Sequence, residues 1–182
     1  MQAVLDACVL YPTVLREILL GVARMGLYEP RWSERLIEEW IRATAKLGAG
    51  AQAVARGEGA ILAVRWPQAM VPADGDGDAR LILPDPDDRH VLGAALRGQA
   101  DLIVTLNLRD FPARALAPFG IRALDPDRFL TGFLADHPTA VASVVAAVHA
   151  EAERLSGQPI ALRALLKRAQ LPRLARLLAQ DR

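Results

Sequence analysis

With a single cysteine, Cys8, the chain can form neither an internal disulfide nor a cysteine-based zinc site. No stretch approaches the roughly 18 uncharged apolar residues that a membrane span needs, so no membrane partner is expected. The first residues lack a basic region followed by an apolar run and a small-residue cleavage site. A secretory signal is therefore not expected, and the cytoplasm is the default location. Gly-x-Ser-x-Gly, the P-loop and Gly-x-Gly-x-x-Gly are all missing, which removes the nucleophile elbow and the common phosphate-cradling loops. Histidine is scarce as well. His90 follows Asp88 by two residues and is read as pointing away from it on a helix, while His137 and His149 have no acid or cysteine at ligand spacing.

Apolar residues are plentiful. At 182 residues, 52% of them hydrophobic, the chain can fill the core of one domain, or of one domain with an appendage. Its net charge of +1 says nothing about partners, but the distribution does. Residues 1–150 hold 15 Lys/Arg against 18 Asp/Glu, and residues 151–182 hold 7 against 3. An acidic body with a basic C-terminal end suits a carboxylate site beside a phosphate-attracting segment, and it also suits a solvated helical face.

The most informative stretch runs from Pro84 to Pro112. Asp85 suits an N-cap, Pro86 the first helical position, and Asp87 and Asp88 the positive end of a helix dipole. Val91, Leu92, Ala95 and Leu96 recur at helical spacing, and Gly98 marks the end. Leu102 to Val104 reads as a buried strand, with Thr105 to Asp110 as its exit loop. Asp88 shares the inward side of Val91 and Leu92, where a carboxylate requires a counter-charge such as a divalent cation.

Earlier in the chain, Ala3-Val4-Leu5 reads as a first strand that delivers Asp6 at its carboxyl end, where open α/β sheets bind ligands. Cys8 reads as a small buried filler. Thr13 to Met25 is helical, with Thr13 as its cap, and Ser33 caps a helix striped by Leu36, Ile37, Trp40 and Ile41. Glu38 has Arg42 four residues on, a surface pair; Glu39 is preferred as a site acid from its helical facing. Residues 43–65 are weakly helical, and Ala69 to Val71 is a candidate strand. Asp74 to Asp78 resembles a calcium loop, but Ala79 and Asp85 stand where that loop requires Gly and Glu, so a solvated loop is expected. Gly120 to Leu124 is the last strand, and Asp125-Pro126 opens an all-helical tail that ends in residues 161–180, interrupted by Pro172. This alternation predicts a mostly parallel sheet with helices on both faces.

DPDDRHVLGAAL followed by ADLIVTLNLRDFP resembles the second half of PIN-domain nucleases, the family of the VapC-type ribonuclease toxins, and DACVLYP resembles their opening strand. The resemblance implies a PIN-like three-layer α/β/α domain over residues 1–126, with a mostly parallel central sheet, and a C-terminal helical extension over 127–182. It also implies that Asp6, Glu39, Asp88 and Asp110 are a catalytic, metal-binding acid tetrad, with Thr105 and Asn107 on the supporting loop. Many family members carry Asp where this chain has Asn107. Mg²⁺ or Mn²⁺ would be the cofactor and RNA the substrate. Arg89, Arg109 or the C-terminal arginines could hold its phosphates. A toxin role, an antitoxin partner and a homodimer follow from the resemblance alone. The alternative is an inactive PIN fold that binds RNA or protein. A haloacid-dehalogenase-like phosphatase would require Asp-x-Asp on the first strand, and the chain has Asp6-Ala7-Cys8.

Overall fold

Five short strands, all parallel, lie in the order β3-β2-β1-β4-β5 in the computed structural model, which describes residues 1–72, 78 and 81–180. They are β1 (Gln2–Leu5), β2 (Glu29–Ser33), β3 (Met70–Val71), β4 (Leu102–Val104) and β5 (Arg122–Leu124). The helices are α1 (Ala7–Leu10), α2 (Thr13–Arg24), α3 (Glu34–Thr44), α4 (Ala49–Arg65), α5 (Arg89–Arg97), α6 (Ala113–Leu116), α7 (Pro126–Asp136), α8 (Pro138–Ser156), α9 (Leu162–Arg168) and α10 (Pro172–Gln180). The expected α/β/α class with a C-terminal helical part holds. The acidic stretch read as a solvated loop lies, apart from Asp78, outside the described residues.

Two compact units divide the chain. The first comprises residues 1–11 and 28–124 and contains the sheet. Ala3, Val4, Leu5, Ile103 and Val104 are fully buried in it, as the apolar runs of β1 and β4 predicted, and Trp32 and Trp40 are its largest buried side chains. β1 pairs with β4 in the register Ala3↔Leu102, Val4↔Ile103, Leu5↔Val104. From β1 the chain builds the sheet outward to β2 and β3, then returns to the other side for β4 and β5. The reversal lies between β1 and β4, and the residues that leave these strands, Asp6 and Thr105, stand side by side at the carboxyl edge. Open α/β sheets bind their ligands at such a reversal.

β2 is not expected from sequence, because Pro30 argues against a strand paired on both sides. The hydrogen bonds explain its tolerance. Glu29 donates its N–H to Met1 O and Trp32 donates to Ala69 O, so Pro30 has its nitrogen on the β3 side. β3 begins only opposite Trp32, so no ladder bond is lost there. Residues 49–65, read as weakly helical, form the continuous α4. Leu96, expected in the apolar stripe of α5, is 36% exposed, while His90, Val91, Leu92, Gly93, Ala94 and Ala95 are buried.

The second unit comprises residues 12–27 and 125–182, so α2 belongs with α7 to α10. Pro12, not Thr13, occupies the cap position of α2, with no side-chain cap bond. Gly21 lets α2 and α8 approach closely: a Cβ there would overlap the Val144 side chain. Asp125 caps α7 by accepting the Arg128 N–H at 2.9 Å. Buried Asp127 accepts from the Arg173 and Leu174 N–H groups at 2.7 and 2.9 Å and so caps α10. Leu165, Leu166, Leu171 and Leu174 are buried beneath the α9–α10 hairpin, whose turn places Gln170 at φ 62°.

Candidate functional site

Asp6 leaves β1 with its backbone N–H still on the ladder, donating to Val104 O at 3.1 Å, which fixes where its buried carboxylate stands. Thr105, fully buried one step beyond β4, donates its hydroxyl to Asp6 Oδ2 at 2.6 Å and accepts the Asn107 N–H at 3.0 Å. One hydroxyl therefore orients the acid and shapes the loop that carries Asn107 and Asp110. Asn107 is exposed, and its carbonyl accepts the Asp110 N–H at 3.0 Å. Asp110 ends a single 3₁₀ turn (Leu108–Asp110), where Arg109 Nε lies 3.6 Å from it.

Cys8 belongs to this network too. Its thiol donates to Asp6 Oδ2 at 3.1 Å, and its sulfur accepts the Leu106 N–H at 3.2 Å. Burial, then the Asp6 charge, push the thiol up to about 12, so it stays a neutral donor. Cys8 is thus more than the filler expected; the signal for this role was its proximity to an acid at a strand end.

Asp88 arrives from the other side. Asp85 accepts the Asp87 N–H at 2.9 Å and caps a 3₁₀ turn, Pro86–Asp88, that runs into α5. The half-buried Asp88 carboxyl is raised to about 6 by burial first, then by the charges of Asp6, Asp85 and Asp110. Asp6, Asp88 and Asp110, from three separate loops, thus bear on one place, and His90 opposes their effect on Asp88 only in part.

Glu39 is held differently. His90 Nε2 lies 3.0 Å from Glu39 Oε1, and Arg35 Nε donates to the same oxygen at 3.3 Å. Burial would raise this carboxyl, but the His90 hydrogen bond and charge, with those of Arg35, hold it below its ordinary value. Arg42, expected to pair with Glu38, instead approaches Glu39 at 3.8 Å, and Glu38 is exposed. Glu39 is not among the charges that raise Asp88. The structure therefore draws Asp6, Asp88 and Asp110 together and ties Glu39 to α5 through His90.

No role for His90 is expected from sequence. Its Nε2 reaches Glu39 on α3, a contact distant in sequence. Its Nδ1 is buried without a hydrogen-bond partner.

The donors suit a hard divalent cation, since all are carboxylate oxygens. Among the described residues no three His, Cys, Asp or Glu side chains already stand at the spacing that encloses an ion.

A family model described as PIN domain matches residues 2–109. A protein of Mycobacterium tuberculosis (strain ATCC 25618 / H37Rv) named "Putative ribonuclease VapC50" is 50% identical over 58 residues, which is 32% of this chain and 34% of that one. The match thus spans about a third of the relative. No solved structure matches the chain.

Proposed function

The chain belongs to the PIN domain family, and from that premise we infer that it is a divalent-metal-dependent endoribonuclease. The observation that supports this reading best is the convergence of Asp6, Asp88 and Asp110 at the β1–β4 switch point, where burial first and then the neighbouring acid charges raise Asp88 to about 6. Asp6, Asp88 and Asp110 would hold Mg²⁺ or Mn²⁺, with Glu39 at the margin of the site. A cation bound there supplies a water of lowered pKa and relief of charge on the leaving oxygen.

The chain's own residues do the positioning. Thr105 and Cys8 fix Asp6 Oδ2, leaving the other carboxylate oxygen for the site. The Asp85 cap sets Asp88 at the mouth of α5, and Asn107 presents a neutral amide where an acid would add charge. Exposed Arg109, next to Asp110, is available to a substrate phosphate. The relative's printed name, "Putative ribonuclease VapC50", supports RNA as the substrate. A toxin role, an antitoxin partner and cytoplasmic action follow from the VapC-type resemblance and are part of the proposal. A homodimer belongs to the same proposal.

The test is cleavage of mixed total RNA with Mg²⁺ or Mn²⁺, wild type beside Asp6→Asn and Asp88→Asn. Metal-dependent cleavage that both substitutions abolish supports the reading. Inert wild type, with RNA still bound, would instead support a binding module built on the same fold.

A further inference from the structure

The C-terminal hairpin carries a charge pattern that its fold does not require. Over residues 162–180 it has Arg163, Lys167, Arg168, Arg173 and Arg176 and no acid. All five are exposed, and none forms an ion pair among the described residues. Some cations elsewhere have local acids beside them, as Arg35 has Glu39 and Arg154 has Glu151, whereas the hairpin offers its five none. Helix-dipole complementarity accounts for Lys167 and Arg168, in the last turn of α9. It does not account for Arg163 and Arg173, which occupy first turns, where a cation opposes the dipole. Leu165, Leu166, Leu171 and Leu174 of the hairpin are buried, and the five cations stand on its exposed positions.

We propose that the exposed cationic face of α9 and α10 binds the phosphate backbone of RNA, an assignment that rests on the ribonuclease reading for the identity of its polyanion. Asp127 already fills the N-terminal N–H groups of α10, so phosphates are held by side chains and not by that helix end. No aromatic residue lies within 162–180 to stack on a base. The recognition is consequently electrostatic, sequence-tolerant and dependent on salt.

The experiment uses the full chain carrying Asp6→Asn and Asp88→Asn, in chelator, with a fluorescent unstructured RNA oligonucleotide titrated at several salt concentrations. Substituting Arg163, Lys167, Arg173 and Arg176 by Gln is expected to weaken binding by about tenfold or more, and to lower the log–log salt slope by about 0.7 for each phosphate that is no longer neutralised. A second variant with the three arginines changed to Lys retains the affinity and controls for folding, which circular dichroism checks in both. An unchanged Kd and slope in the Gln variant would overturn the proposal. So would polyglutamate binding as tightly as RNA to the same face, which would assign it to an acidic protein partner. An unchanged Kd in the Gln variant, with metal-dependent cleavage intact in the otherwise native chain, would refute the surface alone. Binding without any such cleavage would refute the nuclease reading and leave the surface.

Discussion

His90 of α5 and Glu39 of α3 meet at 3.0 Å, joining the helix that follows Asp88 to the helix that carries the remaining acid. The imidazole is 2% exposed and offers one nitrogen to Glu39, while the other has no partner. The pair fixes how far α3 stands from the start of α5, and Arg35 donates a further, 3.5 Å hydrogen bond to Asp87 O.

From this pair follows a graded set of substitutions. His90→Ala removes the Nε2 donor and leaves Glu39 partly buried, at a cost of about 1–3 kcal/mol. His90→Gln can place an amide near the Nε2 position and is expected to recover most of the stability and of the Mn²⁺ affinity, whereas His90→Asn, which reaches only as far as Nδ1, does not. Thermal denaturation and metal titration of the three variants check this; equal behaviour of Gln and Asn would contradict it.

Thr105 should be sensitive to its hydroxyl and not to its size. Thr105→Val leaves buried Asp6 with only the Cys8 thiol as donor and takes the acceptor from the Asn107 N–H, an expected loss of about 1–3 kcal/mol with a fall in turnover. Thr105→Ser keeps both bonds and should cost about 1 kcal/mol for the missing methyl. Denaturant melts with single-turnover RNA cleavage separate the two.

Asp88 links the site to pH. Its folded-state value is raised from 3.8 to about 6, so between these values the folded metal-free chain binds more protons than the unfolded one. The stability contributed by this group therefore falls as pH rises through that window. A cation requires the ionised carboxylate, so metal affinity moves in the opposite sense and climbs as pH rises through about 6. The Tm gain produced by Mn²⁺ is expected to be large well above that pH and small well below it. Asp88→Asn should flatten both trends.

In the helical unit, Asp127 should behave as a structural cap. Asp127→Ala deprives two α10 N–H groups of their acceptor and is expected to cost about 2–3 kcal/mol in a melt followed by circular dichroism. Asp127→Asn, which keeps one acceptor oxygen, should lose less.

Much of the fold was legible because it depends on local chemistry. Asp85 and Asp125 cap their helical turns as their spacing with Pro86 and Pro126 implies, and the apolar runs at β1 and β4 deliver Asp6 and Thr105 to one edge. What the sequence concealed depends on distant contacts. β2 was obscured by Pro30, whose missing donor matters only if β3 reaches it, and β3 does not. His90 was judged against Asp88 on its own helix, while its partner lies on α3. Glu39 sits on the half-buried side of its helix as the facing argument expected, yet its immediate partners are His90, Arg35 and Arg42 and not the three aspartates.

The central claim is that Asp6, Asp88 and Asp110 make one cation site, and Mn²⁺ titration by calorimetry above the Asp88 pKa tests it most directly. Saturable binding in the wild type, abolished in Asp6→Asn, Asp88→Asn and Asp110→Asn alike, is the predicted result. Absence of binding in the wild type, or an affinity unchanged by all three substitutions, would contradict it.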